Sequence, residues 1–201
     1  MLSSQKAIDL IHKFEGWDDP WIWPGDASGV TIGYGYDLGY EPFKKDWVGR
    51  INSIDFNHLS LAEGLKGEAA RLIAPSFKGI HIPVAIAEEV FNLVTLPRYE
   101  ELTIKTFPNS EKLPPDAFGA LVSVVFNRGA SLDGPRRTEM RSIFASLQTV
   151  DSVSVPPSVI QQLGDAVDSM KRLWPDSDSD CSLYKRRIAE AKLIYDCLPI
   201  T

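Results

Sequence analysis

Cysteine and histidine are scarce in this 201-residue chain, which has two of the first and three of the second. His12, His58 and His81 are scattered without the spacing of metal ligands, so a zinc site is not expected, nor is any cofactor. Cys181 and Cys197 flank a helical pattern that runs from Leu183 to Leu198. At ~1.5 Å per residue such a helix holds their backbones ~24 Å apart, whereas a disulfide needs Cα atoms within ~7 Å. Two thiols that do not pair with each other fit folding in a reducing compartment. Long apolar runs are missing too. No segment approaches the ~20 residues of a membrane span, and the opening Met1-Leu2-Ser3-Ser4-Gln5-Lys6 passes into an amphipathic pattern without a signal-peptide core. The expectation is synthesis in the cytoplasm, with any target beyond the inner membrane reached by a separate release step.

Positive charge is in deficit, with a net charge of −6. General nucleic-acid binding, which requires a basic face, is therefore excluded. Any anionic polymer would have to be met by local clusters such as Arg136-Arg137 and Lys185-Arg186-Arg187. Internal repeats, low-complexity tracts, nucleophile elbows, phosphate loops and dinucleotide fingerprints are all absent. With 44% hydrophobic and 24% charged residues the composition is that of a globular protein. We expect one α+β domain over residues 1–201 and a monomer.

Residues 3–14 have helical spacing through Ala7, Ile8, Ile11 and Phe14, with Ser3 or Ser4 as N-cap and Gly16 as the stop. Glu15 falls at the exit of that helix. Two readings fit it: a solvated helix-end glutamate, or a carboxylate held at the mouth of a site. Residues 17–28 then carry Trp17, Trp21 and Trp23 among Asp18, Asp19, Pro20, Pro24 and Asp26, a mixture that forms no helix. Aromatic faces stack on sugar rings, and they also roof small cores. Over 29–40, Val30, Ile32, Tyr34 and Tyr36 alternate with Thr31, Gly33 and Gly35 at a strand period, with Asp37 at the strand end and Gly39 in a turn. That pattern suits a chemical site on a glycine-cleared face, and equally a hairpin with a turn-forming aspartate.

Further along, a helix is expected over 60–74 with a Ser60/Glu63 capping box. Another is expected through Val84, Ile86, Val90, Phe91 and Val94, interrupted by Pro97 and resumed to Thr106. Residues 114–129 are the most apolar segment, opened by Pro115-Asp116 and closed by Gly129, and read as the central buried helix of a helical lobe. Amphipathic helices follow at 138–148 and 157–173, and a last helix carries Lys185, Arg186, Arg187 and Glu190.

Taken in order, Phe14-Glu15-Gly16, Thr31-Ile32-Gly33-Tyr34-Gly35, Phe118-Gly119-Ala120-Leu121-Val122-Ser123 with Phe126-Asn127-x-Gly129, and Arg186-Arg187-x-x-Glu190 resemble the phage-type lysozymes. That resemblance implies an α+β, lysozyme-like fold: a β-hairpin lobe at about 16–58, a larger helical lobe from 1–15 and 59–201, and a glycan cleft between them. In the ordinary phage pattern an aspartate precedes the threonine by six positions, where this chain has Gly25, with Asp26 one place off. The string Thr31-Ile32-Gly33-Tyr34-Gly35-Tyr36-Asp37 is similar instead to the pesticin-like branch, whose aspartate follows the threonine by six.

By resemblance, Glu15, Thr31 and Asp37 form the catalytic set and Asp26 is the reserve carboxylate. Asn127, Trp23, Tyr36 and Asp26 are substrate-contacting candidates, and Arg186 and Arg187 are supports that pair with Glu15 or a neighbouring carboxylate. Glu15, partly buried beside Phe14, suits donating a proton to a glycosidic oxygen, while Asp37 suits staying ionised and Thr31 suits holding water. The implied activity is peptidoglycan hydrolysis by a muramidase, in a phage lysin or an antibacterial effector. An effector would bring a cognate immunity protein as partner. The rivals are a lytic transglycosylase and a non-catalytic glycan-binding module of the same fold.

Overall fold

The computed structural model describes residues 2–150, 155–176 and 182–199. The chain is mostly helical, with one two-stranded antiparallel sheet among the described residues, compatible with an α+β fold. In order it forms α1 (Gln5–Glu15), β1 (Thr31–Ile32), β2 (Tyr36–Asp37), α2 (Phe43–Asp46), α3 (Ser53–Leu59), α4 (Glu68–Ile73), α5 (Val84–Val90), α6 (Leu96–Thr106), α7 (Pro115–Arg128), α8 (Thr138–Gln148), α9 (Pro157–Ser169) and α10 (Leu183–Tyr195). Among the described residues no helix is long and apolar enough to cross a membrane.

Two compact units emerge, one formed by Met1–Phe14 with Pro97–Thr201, the other by Glu15–Leu96. The unit that holds the hairpin thus extends to Leu96, beyond the 16–58 span expected for a β lobe, because α2 to α5 pack their apolar residues on the same core as the sheet.

In the hairpin unit that core gathers Val30, Ile32, Tyr36, Leu38, Phe43, Trp47, Leu59 and Phe77, all buried. Phe43 and Trp47 stack with centroids 5.8 Å apart, and Tyr36 meets Trp47 edge-on at 5.6 Å. The helix expected over 60–74 is broken in two. Gly64 and Gly67 adopt φ of 81° and 55°, a conformation that closes a helix rather than continuing it. The capping box does not form: Ser60 Oγ donates to Phe56 O at 2.7 Å, and Glu63 accepts from the Lys44 amide. Asn52 caps the preceding helix instead, accepting from the amides of Ile54 and Asp55.

In the helical unit α7 is buried along most of its length, from Ala117 to Val125. Gly119 lets α1 approach it; a Cβ there would lie 2.3 Å from that of Ala7. The interruption expected at Pro97 is not found: α5, a π turn at Phe91–Thr95 and α6 follow one another without a break, and the π turn just before Pro97 accommodates its missing N–H. The helices expected at 114–129 and 138–148 are found at Pro115–Arg128 and Thr138–Gln148. The one expected at 157–173 is α9 followed by a tighter turn from Met170 to Leu173. Cys197 is a free, half-buried thiol, and Cys181 lies outside the described residues.

Candidate functional site

Ser4 opens α1 by accepting from the Ala7 amide, and Glu15 is the last helical residue. The chain leaves the helix at Gly16, whose φ of 69° is the left-handed turn that ends many helices. Glu15 is half-buried. Three residues on, Asp18 is drawn in by a reciprocal backbone pair with Gly33: each amide donates to the other's carbonyl at 3.0 Å. The chain from Trp17 thereby lies along the hairpin. Trp17 meets Tyr34 edge-on at 5.2 Å.

Within the hairpin Thr31 pairs with Asp37 and Ile32 with Tyr36. The Leu38 amide donates to Val30 O at 2.9 Å. Val30 and Leu38 are therefore a hydrogen-bonded pair, and by alternation Thr31 and Asp37 form the next, non-hydrogen-bonded one. Cα atoms in such pairs lie only ~4.5 Å apart and the side chains project together. Val30, Ile32, Tyr36 and Leu38 take the core face, so Thr31 and Asp37 share the other.

The Asp37 carboxylate folds back onto its own loop. Oδ1 accepts from the Gly39 amide at 2.7 Å and the Gly29 amide at 3.0 Å, and Oδ2 lies 3.1 Å from the Gly29 nitrogen. A Cβ on Gly29 would sit 2.2 Å from Oδ1, so the tuck requires glycine there. Burial pushes the Asp37 carboxyl above its usual range, against the Gly29 and Gly39 amides and the Lys66 charge, which pull it down. Asp18 is pushed up further, to about 6, by burial first and then by the negative charges of Glu15 and Asp19. A carboxyl group that titrates there is half-protonated at about pH 6 and mostly ionised at neutral pH. Sequence reasoning passed over Asp18. Its neighbour Asp19 looks the same in the sequence, and only the pairing with Gly33 across the hairpin separates them.

The remaining candidates fall in different surroundings. Tyr36 was expected to contact substrate; instead it is 3% exposed and its hydroxyl donates to the buried Asp46 at 2.8 Å. The strand alternation turns it into the core with Ile32 and Leu38. Tyr34, expected to continue the strand, sits in the turn between Gly33 and Gly35, both at positive φ. Trp23 packs on the hairpin core and its indole N–H donates to Ser28 O at 3.0 Å, so of the two readings of the tryptophans it follows the core one. Trp21 is the exposed member, at 43%. Asp26 is exposed at a left-handed φ of 49°, a turn residue.

Asn127, Arg186 and Arg187 belong to the helical unit. The arginines are not an exposed basic turn: they are 1% and 0% exposed. Both meet Glu190, itself 0% exposed, with Arg186 Nε 3.1 Å from Oε1 and Arg187 Nη2 3.0 Å from the same oxygen. Ser123 Oγ donates to that oxygen at 2.5 Å and accepts from Arg186 Nη2 at 3.0 Å. Asn127 Oδ1 accepts from Arg187 at 3.3 Å. The guanidinium of Arg186 lies over the ring of Phe14, the residue before Glu15.

The chain matches no family model, and no curated protein matches it.

Proposed function

We propose that the protein is a peptidoglycan hydrolase of lysozyme-like fold, a muramidase that cleaves the β-1,4 bond between N-acetylmuramic acid and N-acetylglucosamine. The observation that carries the reading is the Thr31–Asp37 pair. A threonine and an aspartate are directly opposite each other in the hairpin, on the face turned away from its core, in the same compact unit as Glu15. In this mechanism Glu15 gives its proton to the departing sugar oxygen. Asp37 takes a proton from water through Oδ2, the oxygen with the single and longer amide contact. Thr31 holds that water, and the anomeric carbon is attacked from the face opposite the leaving group, with inversion.

The test is release of reducing ends from purified peptidoglycan by the wild type and by Glu15→Gln, Asp37→Asn and Asp26→Asn, run side by side. Loss of the acid is expected to lower turnover by about 10²–10⁴-fold with little change in melting temperature. Asp37→Asn retains one oxygen for the Gly39 amide and is expected to be far more damaging than Asp26→Asn. Turnover of Glu15→Gln within about tenfold of wild type would remove the proposed acid.

A lytic transglycosylase is favoured by one observation, the engagement of Asp37 by two backbone amides, since that chemistry needs one acid and no activated water. Mass spectrometry of the products separates the two: anhydromuramic ends mean transglycosylation, reducing ends mean hydrolysis.

A further inference from the structure

Three arginines that the proposed reaction does not use converge on one cavity in the helical unit. Arg128 ends α7, Arg136 and Arg137 form the tight turn before α8, and with Asn127, Trp174 and Leu183 they line a cavity of about 310 Å³. The guanidinium carbons of Arg128, Arg136 and the buried Arg187 lie 5.5, 5.9 and 5.7 Å from the centre of the Trp174 ring. An indole ring attracts cations through its faces and so helps to gather them.

What holds these arginines in place is neutral. Arg128 donates to Arg136 O, Arg137 donates to Arg128 O at 2.5 Å, and Arg136 donates to Leu173 O at 3.2 Å. Among the described residues none of the three forms an ion pair, and Nη1 of both Arg128 and Arg137 is buried without a hydrogen-bond partner. The nearby Glu139 meets Arg172 through Oε1, and its Oε2 is buried without a hydrogen-bond partner. The consequence is visible at Arg128, pushed down to about 10 by burial and by the charges of Arg137, Arg187 and Arg136, with Glu139 opposing. Like charges packed this closely, with donors left over, destabilise a protein unless an anion joins them. Arg136 and Arg137 also stand at the positive end of the α8 dipole, where cations are unfavourable and anions favourable.

We propose that this pocket is an oxyanion-binding site, taking a carboxylate or phosphate group carried on a small polar ligand. Forked guanidinium donors match both groups in geometry and charge. The cavity is larger than a bare ion requires, which leaves room for the part of the ligand that bears the anion. The inference does not depend on the reaction proposed above, and its test reads binding rather than turnover.

Calorimetric titration at fixed ionic strength would compare inorganic phosphate, glucuronate and neutral glucose on the wild type, Arg136→Gln and Arg137→Gln. The expected result is saturable binding of phosphate, glucuronate or both, no binding of glucose, and an affinity at least fivefold weaker in one or both variants. Binding of phosphate alone identifies a phosphoryl ligand, and of glucuronate alone a sugar carboxylate. Melting curves without anion guard against misfolding. With repulsion relieved, at least one variant is expected to melt no lower than wild type. Absence of binding by both anions overturns the proposal. So does an affinity loss below fivefold in both variants, equal binding of glucose, or destabilisation of both variants without anion.

Discussion

In the helical unit Arg186, Arg187 and Glu190 are withdrawn from water together, with Ser123 bridging Arg186 and Glu190. In the hairpin unit Asp18 and Asp37 are only partly withdrawn, and both carboxyl groups are raised by burial. The first arrangement makes every charge the solvation of another, so taking one away exposes the rest to a low-dielectric interior. The second leaves Asp18 as a carboxyl group that changes its protonation near pH 6, within the range where proteins work. A charge that is fully matched is fixed in its state and serves the fold. One that is incompletely matched is free to move a proton.

The comparison breaks most sharply at Glu190. Glu190→Gln leaves two buried guanidinium groups facing a neutral amide and is expected to cost about 3–5 kcal/mol, read as a fall in the denaturant midpoint. A change below ~1 kcal/mol would mean that the triad is solvated some other way. Thr31→Val keeps the shape of a buried residue of the hairpin and removes only the hydroxyl. Its expected signature is the opposite one: a loss of peptidoglycan turnover of roughly 10²-fold, with stability nearly unchanged.

Next in size is Gly29→Ala, which forces a Cβ to 2.2 Å from Asp37 Oδ1 and 2.4 Å from the Gly39 nitrogen. About 1–3 kcal/mol of destabilisation is expected, with the amide resonances of Gly29 and Gly39 shifted together. A neutral substitution would show that the carboxylate does not need its tuck.

The smallest effect sharpens the hairpin side. The Asp18 carboxyl titrates near 6 when folded, above its ordinary 3.8, so between those values the folded state binds the extra proton. Stability on this account falls as pH rises from about 4 to about 6 and is flat beyond. Asp18→Asn should remove that slope and leave the variant more stable than wild type above pH 6, by about 1 kcal/mol once solvent screening of a partly exposed group is allowed for. Identical slopes in wild type and variant would assign the titration elsewhere.

Much of this frame is legible in the residues. The helix at 114–129 declares itself because an apolar run is opened by a proline and closed by a glycine, and the one at 138–148 through its amphipathic spacing. Helix α1 and its stop at Gly16 are read the same way, and the hairpin follows from β-branched residues spaced by glycine. The split at 60–74 is not legible, since a capping-box pattern and the apolar spacing both favour a helix that two left-handed glycines then break. Nor is the setting of Tyr36 legible, since alternation gives two faces without saying which one is the core. Burial of Phe43 and Trp47 decided that.

The sequence by itself determined that this is a mostly helical chain with one short hairpin, because local spacing and turn chemistry act over neighbouring residues. It also put Thr31 and Asp37 at a separation that an antiparallel turn could bring face to face. Only tertiary structure decided which charges are matched. Asp18 reaches Gly33, Ser123 reaches Glu190, and Arg128 reaches the Arg136–Arg137 turn through contacts that residue spacing does not encode. The electrostatic energy of a group depends on its surroundings in space, and those are set when distant segments pack.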